Sequence, residues 1–406
     1  MRQWGYNAEI FLPESAMNTQ FELIRQSATV AMNDRITAAR AAGQKVIPLH
    51  VGDPDFPTPQ PILDVATKAL QAGLTHYGPS TGTPELRRAA ALKLSRDNGL
   101  EYDPDSEILV THGGIHAYYL AMQSILNPGD DVLIPDPSWA THANMAIMLR
   151  GNVIRVPAPA ENGFLPSFAD WERALTPRSR VLVINYPSNP TGAYPSRDYL
   201  QKLQAFAAAH NLWIVSDEVY ENLYYAEKPT SAAAFPGVKE RTLIVHSLSK
   251  TYAMTGWRVG YLAAPARVIE NAIKAGQNSI TCVAPFVQKA AAFALSDPGV
   301  QQSAAEMRAA YARRRQLVLD IARDAGELPV KVTPSMGAFY FFLDFRALKI
   351  SSLEICERIL AEANVGLVPG AAFGEQGEGF VRMTIAASDE EVEAGLKAIL
   401  DWAGKF

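Results

Sequence analysis

Seven short apolar runs recur through the middle of this chain, at Ile108–Thr111, Asp131–Pro135, Val153–Val156, Val181–Asn185, Trp213–Asp217, Thr242–Ser247 and Val259–Ala263. Stretches with apolar residues at helical spacing separate several of them, among them Ile115–Leu126, Trp139–Leu149 and Ser196–His210. This alternation predicts an α/β fold: a mainly parallel seven-stranded sheet with helices on both faces. Ligands of such sheets collect beyond the carboxyl ends of the strands. The polar residues cluster at those ends, at Asn185–Gly192, Asp217–Tyr220 and Ser247–Lys250.

The two ends of the chain read differently. Residues 300–326 form a long charged helical stretch, followed by a strand-like Gly337–Asp344, a helix near Ser351–Ala363, a strand near Phe380–Ala386 and a last helix from Asp389. That order predicts a smaller α+β domain. Residues 28–42 are helical in composition, and Val46–Val51 reads as a strand beside them that packs with the C-terminal domain. Proline fixes φ and denies helix continuation, so Gly52-Asp53-Pro54-Asp55-Phe56-Pro57-Thr58-Pro59 reads as a crossover. With 406 residues the chain has room for two domains sharing a cleft. The expected division is an N-terminal arm with part of the small domain over 1–58, a large domain over 59–299 and a small domain over 300–406.

Charge and cysteines narrow the function. A formal net charge of -5 supplies no electrostatic case for nucleic acid or an anionic membrane. The two cysteines, Cys282 and Cys356, lie far apart and make no metal-ligand spacing. Residues 1–20 contain Glu9 and Glu14 and lack a basic start and an apolar core, which argues against a signal peptide. No apolar run approaches the roughly 20 residues of a membrane span. A cytoplasmic enzyme is expected.

The segment Ser247-Leu248-Ser249-Lys250, with Arg258 eight residues on, offers an amine that can condense with a carbonyl, and two hydroxyls and a guanidinium fork that suit a phosphate. Alone, the lysine reads equally as a solvated residue beside a turn. Asp217 ends an apolar strand three residues before Tyr220, and a buried carboxylate there needs a donor or cation. A protonated pyridine nitrogen is one partner; capping the next helix is another. Asn189 lies in a proline- and glycine-held loop leaving a second core strand, so its amide reaches the same mouth, although such loops commonly just turn the chain. Gly113 and Gly114 follow a strand and open a helix, where backbone N–H groups bind phosphate, or where the glycines only make a tight turn.

In their order and separations, Ser188-Asn189-Pro190-Thr191-Gly192, Asp217-Glu218-Val219-Tyr220 and Ser247-Leu248-Ser249-Lys250 with Arg258 resemble the class I/II aminotransferases of pyridoxal phosphate fold type I. So do Val51-Gly52-Asp53-Pro54-Asp55-Phe56, Tyr77 with Thr83-Pro84-Glu85-Leu86-Arg87, Gly129-Asp130, Pro137-Ser138-Trp139, Val368-Pro369-Gly370 and Phe373-Gly374. The resemblance covers the chain from about residue 25. It implies pyridoxal 5'-phosphate held as an imine on Lys250, which then shuttles a proton between substrate Cα and the cofactor's C4′. Asp217 would keep the ring nitrogen protonated. Tyr220 and Asn189 would bond the phenolic oxygen. Ser247, Ser249, Arg258 and the backbone at Gly113, Gly114 and Ile115 would hold the phosphate, and Trp139 would stack on the ring, where a plain core role is the alternative. Arg382, which interrupts an apolar strand, would clamp the substrate carboxylate with help from Asn189 and the Gly52 backbone, rather than make a surface ion pair. Tyr77 would reach the cofactor phosphate of a second subunit, so a homodimer with shared sites is implied.

The resemblance leaves the substrate side chain open. In aspartate-preferring members the position matching Ile115 is often a lysine that pairs with the distal carboxylate. Isoleucine there points to an apolar or aromatic side chain, with Trp139, Tyr77, Phe11 and Leu12 lining its pocket. His112 and His116 flank the same turn as polar contacts or as structural histidines, and Ser279 and Cys282 fall where a partner loop would approach. The expected reaction moves an amino group from an α-amino acid to a 2-oxo acid by a ping-pong mechanism, with glutamate and 2-oxoglutarate as one pair. A pyridoxal phosphate lyase cleaving at Cβ is the alternative on the same residues. A non-catalytic ligand sensor is disfavoured, because there is no room for a DNA-binding segment before Val51.

Overall fold

The structure is a computed structural model, and it describes residues 19–24 and 28–406. Phe11, Leu12 and the rest of the arm over 1–18 lie outside the described residues. In chain order the helices and strands are α1 (Ala28–Ala41), α2 (Gln60–Gln71), α3 (Pro84–Asn98), β1 (Ile108–Thr111), α4 (Gly113–Ile125), β2 (Asp131–Asp136), α5 (Ala140–Met148) and β3 (Asn152–Pro157). There follow α6 (Phe168–Ala174), β4 (Ser179–Asn185), α7 (Arg197–Ala209), β5 (Trp213–Asp217), β6 (Thr242–Ser247), β7 (Gly260–Ala263), α8 (Ala266–Ser279) and α9 (Pro285–Ser296). The C-terminal part carries α10 (Pro298–Asp324), β8 (Tyr340–Asp344), α11 (Ser352–Ala363), β9 (Val368–Pro369), β10 (Phe380–Thr384) and α12 (Asp389–Ala403).

The seven strands anticipated from the sequence form one sheet in the order β1-β7-β6-β5-β4-β2-β3. Strands β3, β2, β4, β5 and β6 run parallel; β7 is antiparallel to both β6 and β1. Strands β2 and β4–β6 are almost wholly buried, as expected of parallel strands covered on both faces by crossover helices. Register aligns Asn185 with Asp217, and Asp217 with Val245, so the carboxyl ends of β4, β5 and β6 open side by side. Local chemistry sets the flanking helices. Thr83 caps α3 by accepting from Leu86 N, with Pro84 in the first turn, and Gly99 ends it in the left-handed region at φ 66°.

A second, antiparallel sheet has the order β8-β10-β9. Its core joins Phe339, Phe341, Val381 and Met383 to apolar residues of α11 and α12, and to Met32, Ile36, Val46 and Leu49 near the start of the chain. The segment 46–51 is not the strand anticipated for it. Ile47 makes one isolated parallel bridge to Val365, while Leu49 O accepts from Thr384 N at 2.9 Å. Pro48 has no N–H to donate, and Leu49 N turns back onto Ile47 O at 3.1 Å, so the pairing stops at Ile47. Residues 337–339 likewise stand before β8 rather than within it. Gly337 N and Met336 N both bond to Gly192 O, and Ala338 N bonds to Leu223 O, which ties this sheet to the loop that carries Asn189.

Candidate active site

Where the strand ends of the large sheet face β8 and β10, a pocket of about 470 Å³ opens. Its lining contains Gly52, Gly114, Ile115, Trp139, Asn189, Asp217, Tyr220, Ser247, Ser249, Lys250, Arg258 and Arg382. Of the residues expected to hold the cofactor or the substrate carboxylate, all but Gly113 and Tyr77 are therefore brought to one cavity. Gly113 lies immediately behind the lining, as the first residue of α4. Tyr77 does not line the pocket and is 88% exposed on this protomer.

One end of the pocket is built for an anion. Ser247 Oγ donates to Ser249 Oγ at 2.7 Å, and the first turn of α4 supplies backbone N–H groups beside them. Gly113 has φ +77°, and a Cβ on it would stand 2.8 Å from Arg258 Nη2. Only glycine lets the guanidinium settle against that turn. Arg258 is itself left-handed at φ 51° and is held by a bond from Nη1 to Thr255 O at 2.7 Å.

At the middle lies the amine. Lys250 Nζ donates to Gly52 O at 2.6 Å, and burial pulls its pKa down to about 8. The neutral, nucleophilic form is thereby populated near physiological pH. Deeper in, Asp217 is buried at the end of β5. Its Oδ2 meets His142 Nε2 at 3.0 Å, and its Oδ1 accepts from Val219 N at 3.3 Å. His142 escaped the sequence reading, although it lies in the first turn of α5, three residues after Trp139 at the helix cap. The Trp139 ring meets it edge-on at 5.2 Å.

On the opposite wall Arg382 reaches in from β10. Nη1 donates to Asn189 Oδ1 at 2.9 Å and Nη2 to His50 O at 2.7 Å, while the buried Nε has no protein partner. The fork is thus fixed in direction and keeps N–H donors for an incoming carboxylate. Because Asn189 accepts from Arg382 through its oxygen, its NH₂ is left to face the pocket. Tyr220 is buried beside it and bonds Tyr340 hydroxyl to hydroxyl at 2.9 Å. Tyr340, Thr141 and Val30 also line the pocket and were not anticipated. Tyr340 belongs to the apolar run Phe339–Leu343, which reads as core. His112 and His116 are engaged locally: His112 Nε2 meets Cys282 O at 3.1 Å, and His112 N donates to His116 Nδ1 at 3.2 Å.

The arrangement fits a ligand with a phosphate at one end, an aldehyde near Lys250 and a basic ring nitrogen at Asp217. Comparison with known proteins agrees. The family model "Aminotransferase class I and II" matches residues 44–399. The chain is 41% identical to an aspartate aminotransferase of Pyrococcus abyssi, over 94% of this chain and 96% of that one. It is also 41% identical to aromatic-amino-acid aminotransferase 2 of Thermococcus litoralis, over 86% and 90%. The solved structure of an aromatic aminotransferase from Pyrococcus horikoshii superposes with a TM-score of 0.86 at 39% identity, covering 90% of this chain and 98% of that one. The chain belongs to the class I and II aminotransferases, pyridoxal phosphate-dependent enzymes of fold type I.

Proposed function

We propose that this aminotransferase takes α-amino acids with apolar or aromatic side chains in preference to aspartate. One observation carries the proposal. Among the described residues, the cations lining the pocket are Lys250, Arg258 and Arg382, and each has a task other than binding a distal carboxylate. Ile115, at the mouth and 42% exposed, offers apolar surface where a cation would be needed, and Val30, Thr141 and Trp139 complete that side. A carboxylate brought there without a partner would lose hydration for no gain.

Bound in the pocket, pyridoxal phosphate supplies an aldehyde for amines and a ring that takes up the electron pair left at Cα. The chain's own groups do the rest. Lys250 would hold the cofactor through its amine and, when free of it, would serve as the base that takes up and returns the Cα proton. Asp217 would pair with the ring nitrogen and hold a proton there. Asn189 NH₂ and Tyr220 O–H would donate to the cofactor's phenolic oxygen. Ser247, Ser249, Arg258 and the backbone of Gly113, Gly114 and Ile115 would hold the phosphate, and Trp139 would cover a ring face. Arg382 grips the α-carboxylate with two parallel N–H groups, beside Asn189 and the Gly52 backbone.

Glutamate and 2-oxoglutarate are proposed as one exchange pair. Their second carboxylate must then be met from outside this protomer's described lining. A homodimer in which Tyr77 reaches the partner's phosphate is supported by the wide exposure of that tyrosine. The division at 58 and 299, and a cytoplasmic setting in keeping with two unpaired cysteines, belong to the same proposal. The experiment is a panel of half-reactions, each amino acid mixed alone with the purified protein and the cofactor followed by absorbance. Phenylalanine or tyrosine should convert the cofactor to its amine form at least about tenfold faster than aspartate. A preference for aspartate would overturn the proposal, and release of ammonia without conversion would point to a lyase.

A further inference from the structure

Tyr340 touches three parts of the site at once. Its hydroxyl lies 2.9 Å from that of Tyr220. Its ring lies under the Arg382 guanidinium, 4.5 Å from centroid to carbon. Its hydroxyl also abuts Gly52, where a Cβ would stand 2.5 Å away, and the Gly52 carbonyl accepts from Lys250 Nζ at 2.6 Å. Both tyrosines are buried side chains in the wall of the pocket. The aromatic cluster of Phe339, Tyr311 and Tyr220 holds the ring in place.

We infer that Tyr340 is a positioning residue that sets how strongly Tyr220 donates to the cofactor's phenolic oxygen. The inference rests on the proposed place of Tyr220 beside that oxygen. A tyrosine has one hydrogen to donate. Once Tyr220 commits its hydrogen to the cofactor, the bond between the two phenols has only one possible donor, Tyr340. A donor behind Tyr220 polarises its O–H and strengthens the bond it makes in front. Stronger donation stabilises the ionised phenolic oxygen, and the proton shared between that oxygen and the Lys250 nitrogen is then held less tightly. Tyr340 therefore lowers the pH at which the bound cofactor's visible band titrates. Its ring serves Arg382 separately, through a contact that phenylalanine preserves.

The test is a spectroscopic pH titration of the holoenzyme as wild type, Tyr340→Phe, Tyr220→Phe and the double variant, with melting curves to show that each is folded. Phenylalanine removes one oxygen and leaves the ring packing intact. Tyr340→Phe should raise the titration midpoint by about 0.5 to 1 pH unit, the scale of one hydrogen bond. KM for the amino acid should stay within about twofold, because the ring under Arg382 is retained. In the Tyr220→Phe background the same change should move the midpoint no further. If Tyr220→Phe raises the midpoint and Tyr340→Phe does not, or if the two shifts add, the inference fails. If Tyr220→Phe leaves the midpoint where it was, the placement of Tyr220 is itself wrong.

Discussion

His142 Nε2 lies 3.0 Å from Asp217 Oδ2, with both side chains buried. The imidazole is held in turn by the Tyr118 ring at 4.7 Å, while the Tyr118 hydroxyl bonds to the His142 carbonyl at 3.2 Å. The other Asp217 oxygen has one backbone donor, Val219 N at 3.3 Å. A hydrogen bond to a charged group is worth about 1.5 to 3 kcal/mol, roughly 10- to 100-fold. His142→Ala should therefore lower kcat by about 10- to 100-fold and weaken retention of the cofactor on dialysis. Wild-type turnover in that variant would mean that the Val219 N–H alone fixes Asp217.

Lys250 should be far more reactive than a surface lysine. Burial disfavours its ammonium form, so the neutral amine accumulates above about pH 8 rather than above about 10.4. When the cofactor-free protein is given pyridoxal phosphate and borohydride at a series of pH values, labelling of Lys250 read by peptide mass spectrometry should rise with a midpoint near 8. A midpoint near 10 would place the amine in a water-like setting. Lys250→Ala should lose both the label and turnover.

The strands that carry the site were legible because β4, β5 and β6 are short apolar runs ending in polar residues, and a parallel sheet sets those ends side by side. Lys250, Asp217 and Asn189 could be placed together on that ground. Tyr340 and His142 could not. Each sits in a stretch that reads as core, and its importance comes from a partner over 70 residues away, 120 residues in the case of Tyr220 and Tyr340 and 75 in that of His142 and Asp217. The segment 46–51 misled for a local reason: its apolar residues suit a strand, but Pro48 leaves a gap in the donors.

Ile115 is the position at which to test substrate choice. It opens onto the pocket from the first turn of α4, so a longer side chain can enter without displacing the core. Ile115→Lys should raise kcat/KM for aspartate by about tenfold or more, and lower it for phenylalanine by a similar factor, since an apolar side chain bound over the ammonium strips its hydration without giving it a partner. The ratio of the two constants is the measurement. An unchanged ratio would show that the distal group of the substrate lies elsewhere.

Glu218, next to Asp217, points away from the pocket into a buried polar cluster. Its Oε1 accepts from Ser216 Oγ and Ser231 Oγ at 2.9 Å each and from Ala232 N at 3.0 Å, and its Oε2 faces His246 Nε2 at 4.0 Å. Burial, and then the charge of Glu221, push its carboxyl up to about 7. Against burial, the Lys93 ammonium holds Glu221 below the ordinary carboxylate range. Burial keeps His246 neutral, its pKa lowered to about 3. An unfolded glutamate ionises near 4.3, so between there and 7 the folded protein keeps a proton that the unfolded chain has released. Stability from this group is complete below about pH 4 and is lost as the pH rises through 7. Glu218→Gln preserves an acceptor for the three donors and turns an NH₂ toward the unpartnered His246 Nε2. The variant should match the wild type in urea unfolding near pH 5 and exceed it by on the order of 1 to 3 kcal/mol at pH 8. Parallel stability curves across that range would mean that the Glu218 carboxyl is ionised throughout and that the cluster carries its charge without penalty.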